Sequence, residues 1–199
     1  YSQQEEKAIY SESDSYLNAY TLRAEVGLAP FSWQNVEMNL LAGYRHQYLN
    51  YDVENLVQEN YLTGNRTEVK GKVLTYSVTY KYPYIGFKLD SFDSIESAID
   101  WEVSMRYSPM VRVKDRDIHL LRDKVTIINA EGVSLGLTGN LSYDLKDNIS
   151  LNLGVSYLGI DTKGKQVQKN YADEVLFEDI DAQIKSEQKN FSLGLVYEY

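Results

Sequence analysis

Asp115-Arg116-Asp117-Ile118-His119 sets two carboxylates and an imidazole close enough in sequence for acid–base chemistry. Asp117 and His119 stand two apart, so on an extended strand both project from one face. A carboxylate beside an imidazole fixes its tautomer and stabilises the imidazolium, which makes the histidine a general base. Asp115 shares that face. The bland alternative is a solvated loop, because Asp-x-His is short and Lys114 and Arg116 are interleaved with it. The other histidine, His46, lies on the Tyr44 side of its own segment and reads as an interfacial or packing residue. Cysteine is absent, which excludes disulfides and cysteine-ligated metals. There is no Walker loop, dinucleotide fingerprint or zinc motif, so no cofactor and no metal is expected.

The elements that must carry these residues follow from composition and period. With 29 acidic and 20 basic side chains the formal charge is −9, which argues against nucleic acid as a partner. Mean hydropathy is −0.43, and no apolar run approaches the roughly 20 residues of a spanning helix. A hydrophobic share of 43% argues against disorder. No signal peptide is visible, so the chain reads as cytoplasmic or already processed. Tyrosine is over-used, 18 against 5 Phe and 2 Trp, which suits a strand-rich surface or a membrane interface.

Alternation of period two predicts seven strands. Near the C-terminus Val133, Leu135, Leu137, Leu141 and Tyr143 oppose Ser134, Gly136, Thr138, Asn140 and Ser142. Ile149–Tyr157 and Phe191–Tyr199 repeat the pattern. Earlier, Ile95–Tyr107, Leu74–Tyr82, Val36–Tyr44 and Tyr20–Val26 alternate likewise. The apolar phase slips near Pro83, passing to Ile85, Phe87 and Leu89, and a β-bulge there would explain it. Glu25, Arg23, Arg45, Asp100, Glu102 and Arg106 fall on polar faces, where opposite charges can pair inside a barrel.

Alternation alone does not separate a β-sandwich from a transmembrane barrel. The connections favour the barrel: Ala29–Asn35, Ser91–Ser94 and Leu145–Asn148 are short, while Asp52–Val69, Lys114–Lys124 and Thr162–Lys189 are long. Short turns on one side and long loops on the other are the outer-membrane layout. An odd strand count conflicts with the even number of bacterial single-chain barrels. The expectation is therefore an all-β, antiparallel, up-and-down transmembrane β-barrel, a single domain over 1–199 that is incomplete at its N-terminus. An eighth strand at Lys7–Ser11 is the weaker alternative.

Four stretches resemble the omptins, outer-membrane proteases built as ten-stranded barrels. Leu40–Tyr48 is similar to the family's strand leading into its third surface loop, and Tyr80–Phe87 to its Met-Pro-Tyr-Ile-Gly-Leu strand. Asp115–His119 matches its Asp-x-Asp-x-His, and the spacing from there to a C-terminal aromatic strand is also similar, including Lys163-Gly164. The resemblance implies a bacterial outer-membrane endopeptidase in which His119, oriented by Asp117, helps deprotonate a water. It also implies that Asp115 helps bind a basic side chain of a polypeptide substrate rich in Arg or Lys, and that three strands precede Tyr1. The family's second-loop aspartate pair has no counterpart before the first strand, where Asp14 stands alone. Of the family's lipopolysaccharide cluster, Tyr44 is matched, whereas His46, Tyr48 and Thr79 stand in place of charged residues.

Two other readings have to be separated from this one. A non-catalytic outer-membrane barrel would use its long loops to bind ligands or host molecules. A soluble β-sandwich would cover the apolar faces with a second layer of protein.

Overall fold

The computed structural model of the chain describes residues 9–33, 35–60, 62–91, 99–146 and 148–197. Seven strands run through them: β1 (Ile9–Trp33), β2 (Val36–Asn60), β3 (Asn65–Ser91), β4 (Ile99–His119), β5 (Lys124–Lys146), β6 (Ile149–Lys169) and β7 (Val175–Tyr197). Each pairs antiparallel with the next in a single sheet ordered β1 to β7, so the topology is up-and-down. Among the described residues β1 and β7 do not pair with each other, and the sheet is not closed.

It is nevertheless curled. Glu25 on β1 reaches Arg106 on β4 with a 2.8 Å contact to Nε, passing over two intervening strands. A cavity of about 260 Å³ takes lining residues from all seven strands, from Arg23 on β1 to Asn190 on β7. Of the charged residues expected to pair inside, Glu25 pairs with Arg106, Glu102 takes Lys88 at 3.6 Å, and Arg45 donates to Gln47 at 3.3 Å.

The strand count agrees with the alternation, but the strand lengths do not. The strands run from 21 to 27 residues, well past the alternating cores. The expected long loops are mostly strand: Asp52–Val69 continues β2 to Asn60 and restarts β3 at Asn65, and Thr162–Lys189 is divided between β6 and β7. Charged, polar sequence hid these extensions because both faces there can meet water. Ile9–Ser11 belongs to β1 and is no separate strand. Lys7, Ile95 and Tyr199 lie outside the described residues.

The slip at Pro83 has a different cause from the one expected. Register between β2 and β3 is unbroken from Val36↔Ser91 to Val53↔Leu74, whereas against β4 it shifts by one between Lys81 and Ile85, so an irregularity does lie beside Pro83 but the extra residue is not on β3. What changes there is the side on which the apolar residues lie. Val78, Tyr80, Tyr82 and Tyr84 are buried on the inner face, while Ile85, the next apolar residue, is exposed on the outer one. Strand β6 inverts in the same way. Outward Leu151, Leu153 and Val155 give way to outward Asp161, Lys163 and Lys165, while inner Ser156 gives way to Leu158 and buried Ile160. One end of the sheet is thus apolar outside and polar inside, and the other end is the reverse.

The bulge is real but sits on the neighbouring strand. Ser108 pairs with Ser134 and Val111 with Gly132, so β4 holds one extra residue at Pro109-Met110. Proline is tolerated at such a place because the ladder already lacks a bond there. Below the bulge, Ser104 and Ser108 are buried and the even positions face inward. Above it, Val111, Val113 and Asp115 are buried and the odd positions do. The extra residue therefore turns the site segment toward the interior.

Candidate active site

His119 is the last residue of β4 and Asp117 stands two before it. Nε2 of His119 lies 2.9 Å from Oδ2 of Asp117, and both side chains are 28% exposed. Asp117 Oδ1 is buried and has no hydrogen-bond partner among the described residues. With Nε2 bound to its carboxylate partner, Nδ1 is the imidazole nitrogen left to exchange a proton with a reactant.

Asp115 lies one step deeper and is only 4% exposed. Strand β3 runs beside this segment with Leu74 opposite His119, Tyr76 opposite Asp117 and Val78 opposite Asp115. The Tyr76 hydroxyl donates to Asp115 Oδ2. Burial pushes the Asp115 carboxyl above the usual carboxylate range; the Tyr76 hydrogen bond pulls it down and the nearby Asp117 charge pushes it up further. Burial, then the bond to Asp115, raises the Tyr76 phenol far above its ordinary value, so the proton stays on the tyrosine. On the other flank Thr126 of β5 pairs with Asp117 in register and is buried.

The structure therefore brings Asp115, Asp117 and His119 to one inner face, as their spacing predicts. Tyr76 was not foreseeable as their neighbour, because a tyrosine in an alternating strand reads as part of the apolar face. Asp14, on β1, accepts a 2.8 Å bond from Asn55 Nδ2 of β2. His46 packs its ring 5.7 Å from that of Tyr20 on the outer surface, and Tyr48 lies 5.4 Å from the same ring. Tyr44 is exposed on that surface too. Lys81 stands in register with His46 and with Arg112, and Arg112 Nε meets Glu131 at 3.3 Å. No group of three or more His, Asp or Glu placed to hold a metal occurs among the described residues.

A single up-and-down antiparallel sheet curled around a cavity, with an imidazole–carboxylate pair on its inner face, has the strand order of a β-barrel and is open between β1 and β7 among the described residues. The profile of the Omptin family matches residues 2–199, and the chain belongs to that family. Among solved structures, the outer membrane protease OmpT from Escherichia coli is similar, with a TM-score of 0.69 at 16% identity. The match covers 95% of this chain and 68% of that one. The ferric yersiniabactin uptake receptor FyuA from Yersinia pestis gives a TM-score of 0.42 at 10% identity over 81% of this chain and 25% of its own. Among curated proteins no sequence match is found.

Proposed function

We propose that this chain carries the imidazole–carboxylate pair of the active site of an outer-membrane endopeptidase that cleaves peptide bonds next to basic residues. The observation that carries the proposal is the 2.9 Å His119–Asp117 contact on the inner face, one step above the buried Asp115. Asp117 holds the imidazole through Nε2 and offsets the charge that develops when Nδ1 takes a proton from water. The hydroxide so formed adds to the peptide carbonyl, and the proton returns to the leaving amine as the tetrahedral species collapses. No covalent acyl-enzyme forms. Asp115 supplies a negative charge, recessed behind Tyr76, for an Arg or Lys side chain of the substrate, and a net charge of −9 steers basic polypeptides toward it.

The inverted faces support a place in the outer membrane. On β6 the outward apolar stretch Ile149–Tyr157 has the length that a transmembrane strand needs, about 9–11 residues. Tyr44 and Tyr107 lie toward one border of the band and Tyr143 and Tyr197 toward the other, all outward and exposed, as interfacial aromatics do. Lipopolysaccharide is a fitting neighbour at the border holding Tyr44, where Lys81 and Arg112 supply positive charge at positions other than Thr79.

The test is His119→Ala in the full-length protein folded in detergent, assayed on a peptide with one internal arginine. Cleavage should fall by about 10²–10⁴-fold, the usual weight of general-base catalysis, while the folded barrel's resistance to denaturant is unchanged. Cleavage at the parent rate would refute the assignment of His119. A parent protein that binds peptides or host molecules and cleaves none would favour the non-catalytic barrel instead.

A further inference from the structure

Tyr171 lies in the turn between β6 and β7, in an acidic stretch of sequence that promises no chemistry. Its hydroxyl donates a 2.8 Å hydrogen bond to the main-chain oxygen of His119, 52 residues away in sequence. Its own N–H donates at 2.7 Å to Asp123 Oδ1. Asp123 closes the 3-10 turn Leu120–Arg122 that follows His119, and it does so in the left-handed region at φ 47°. One residue thus holds that turn at both ends.

The turn that presents Tyr171 is itself braced. Asn170 Nδ2 donates to Glu174 Oε2 at 2.7 Å, and Asn170 Oδ1 accepts from the Glu174 N–H at 2.9 Å. Two main-chain bonds, Asn170 N–H to Glu174 O and Asp173 N–H to Asn170 O, close the same loop. A flexible arm could not hold a carbonyl in place, but this one is tied to itself at both levels.

His119 is where such a hold matters. It is the last residue of β4 in register with both neighbours, Leu74 and Lys124, and the ladder stops beyond it. The ladder holds the His119 Cα from the N-terminal side only, and the bond from Tyr171 to its carbonyl holds it from the other side. Fraying of this strand end would shift the His119 Cα and carry Nε2 away from Asp117. We propose that Tyr171 is a positioning residue for His119: through the His119 carbonyl and Asp123 it fixes the imidazole against Asp117, making the β6–β7 turn a working part of the site. The kinetic consequence rests on the peptidase reading; the geometric one does not.

The experiment uses the full-length protein in detergent, a single-arginine peptide as substrate, and imidazole NMR resonances. His119 and His46 serve as site and internal reference, since His46 lies on the outer surface against Tyr20. Tyr171→Phe, which deletes only the hydroxyl, should lower kcat on the order of tenfold with KM little changed, because misplacement of a catalytic group acts on the reacting step. The His119 resonance should broaden or split while that of His46 keeps its shape. Asp123→Gly keeps the left-handed backbone but removes the acceptor, and should reproduce the defect. Asp123→Asn keeps both the backbone preference and the acceptor oxygen, and should behave as the parent. Parent kcat and a single sharp His119 signal in Tyr171→Phe would overturn the proposal, as would a rise in KM with kcat intact, which would make Tyr171 a substrate contact. If His119→Ala proves fully active, the peptidase reading fails, and the NMR comparison still decides the positioning role.

Discussion

Asp115 is an acid held where ionisation is costly, and its partners set the sign of two pH effects. Burial first, and Asp117 second, lift its pKa above the ordinary value, while Tyr76 opposes them. Between the unfolded pKa, about 3.9, and the raised folded value, the folded state binds more protons than the unfolded one. Stability therefore declines as pH rises through that window, and the penalty is complete above it. Asp115→Asn should flatten this slope, read as the denaturation midpoint against pH. The same substitution should cost selectivity, because only the ionised carboxylate attracts a basic side chain. Loss of a charge-assisted hydrogen bond worth about 1.5–3 kcal/mol corresponds to roughly ten- to hundredfold in kcat/KM for an arginine peptide over a neutral one. In the parent that preference should fade on acidification, starting at a pH above that of an ordinary aspartate. Parent-like selectivity in Asp115→Asn would rule out its role in substrate binding. The grouping of Asp115, Asp117 and His119 was legible because strand geometry turns a spacing of two into a shared face. Tyr76 and Tyr171 were not, because contacts between neighbouring strands and between separate turns leave no local pattern.

The strands themselves were legible as period two wherever one face is apolar and the other polar, as on Ile149–Tyr157. They became illegible where both faces turn polar, as along Asp52–Asn60, and the bulge was placed on the wrong strand because Pro83 coincides with a change of face in β3. Pro109 is the proline that matters, since the extra residue beside it swings Asp115, Asp117 and His119 inward. A second close fit fixes the neighbouring strands. Gly43 on β2 faces Tyr84 on β3, and a Cβ there would lie 2.5 Å from the tyrosine's Cζ and hydroxyl and 2.6 Å from the Ala24 carbonyl oxygen. Tyr84 in turn donates to Glu25 at 2.8 Å, the carboxylate that pairs with Arg106. Gly43→Ala should therefore displace the ring and loosen contacts across four strands. Overpacking of this kind costs about 1–3 kcal/mol, measurable as a shift in denaturant midpoint. Gly194→Ala is the control, because nothing lies within 4 Å of its added methyl. Equal midpoints for the two variants would show that Tyr84 has room to move.

At the scale of the whole molecule the deciding question is what covers the outward apolar band. Mean hydropathy is only −0.43 because one residue in two along part of each strand is apolar and outward, and the polar extensions dilute it further. Composition could not reveal the band, and alternation could not say whether lipid or protein covers it. In the structure Phe191, Leu193 and Leu195 on β7 are 64–71% exposed, and no second layer packs against them among the described residues. Strand positions Leu153 and Gln183 both face outward, the first within the band and the second beyond it, where Gln183 donates to Asp161 at 2.7 Å. If hydrocarbon surrounds the band, Leu153→Arg should destabilise folding into lipid vesicles by about 2–4 kcal/mol, the cost of a cation near the bilayer centre. Gln183→Arg should stay within about 0.5 kcal/mol of the parent, since water already surrounds it and Asp161 accepts either side chain. Reversible refolding against denaturant, in vesicles of a single lipid, measures both. Equal small costs at the two positions, together with folding in water without lipid or detergent, would mean that water meets both ends of the sheet alike, and the membrane assignment would fail with them.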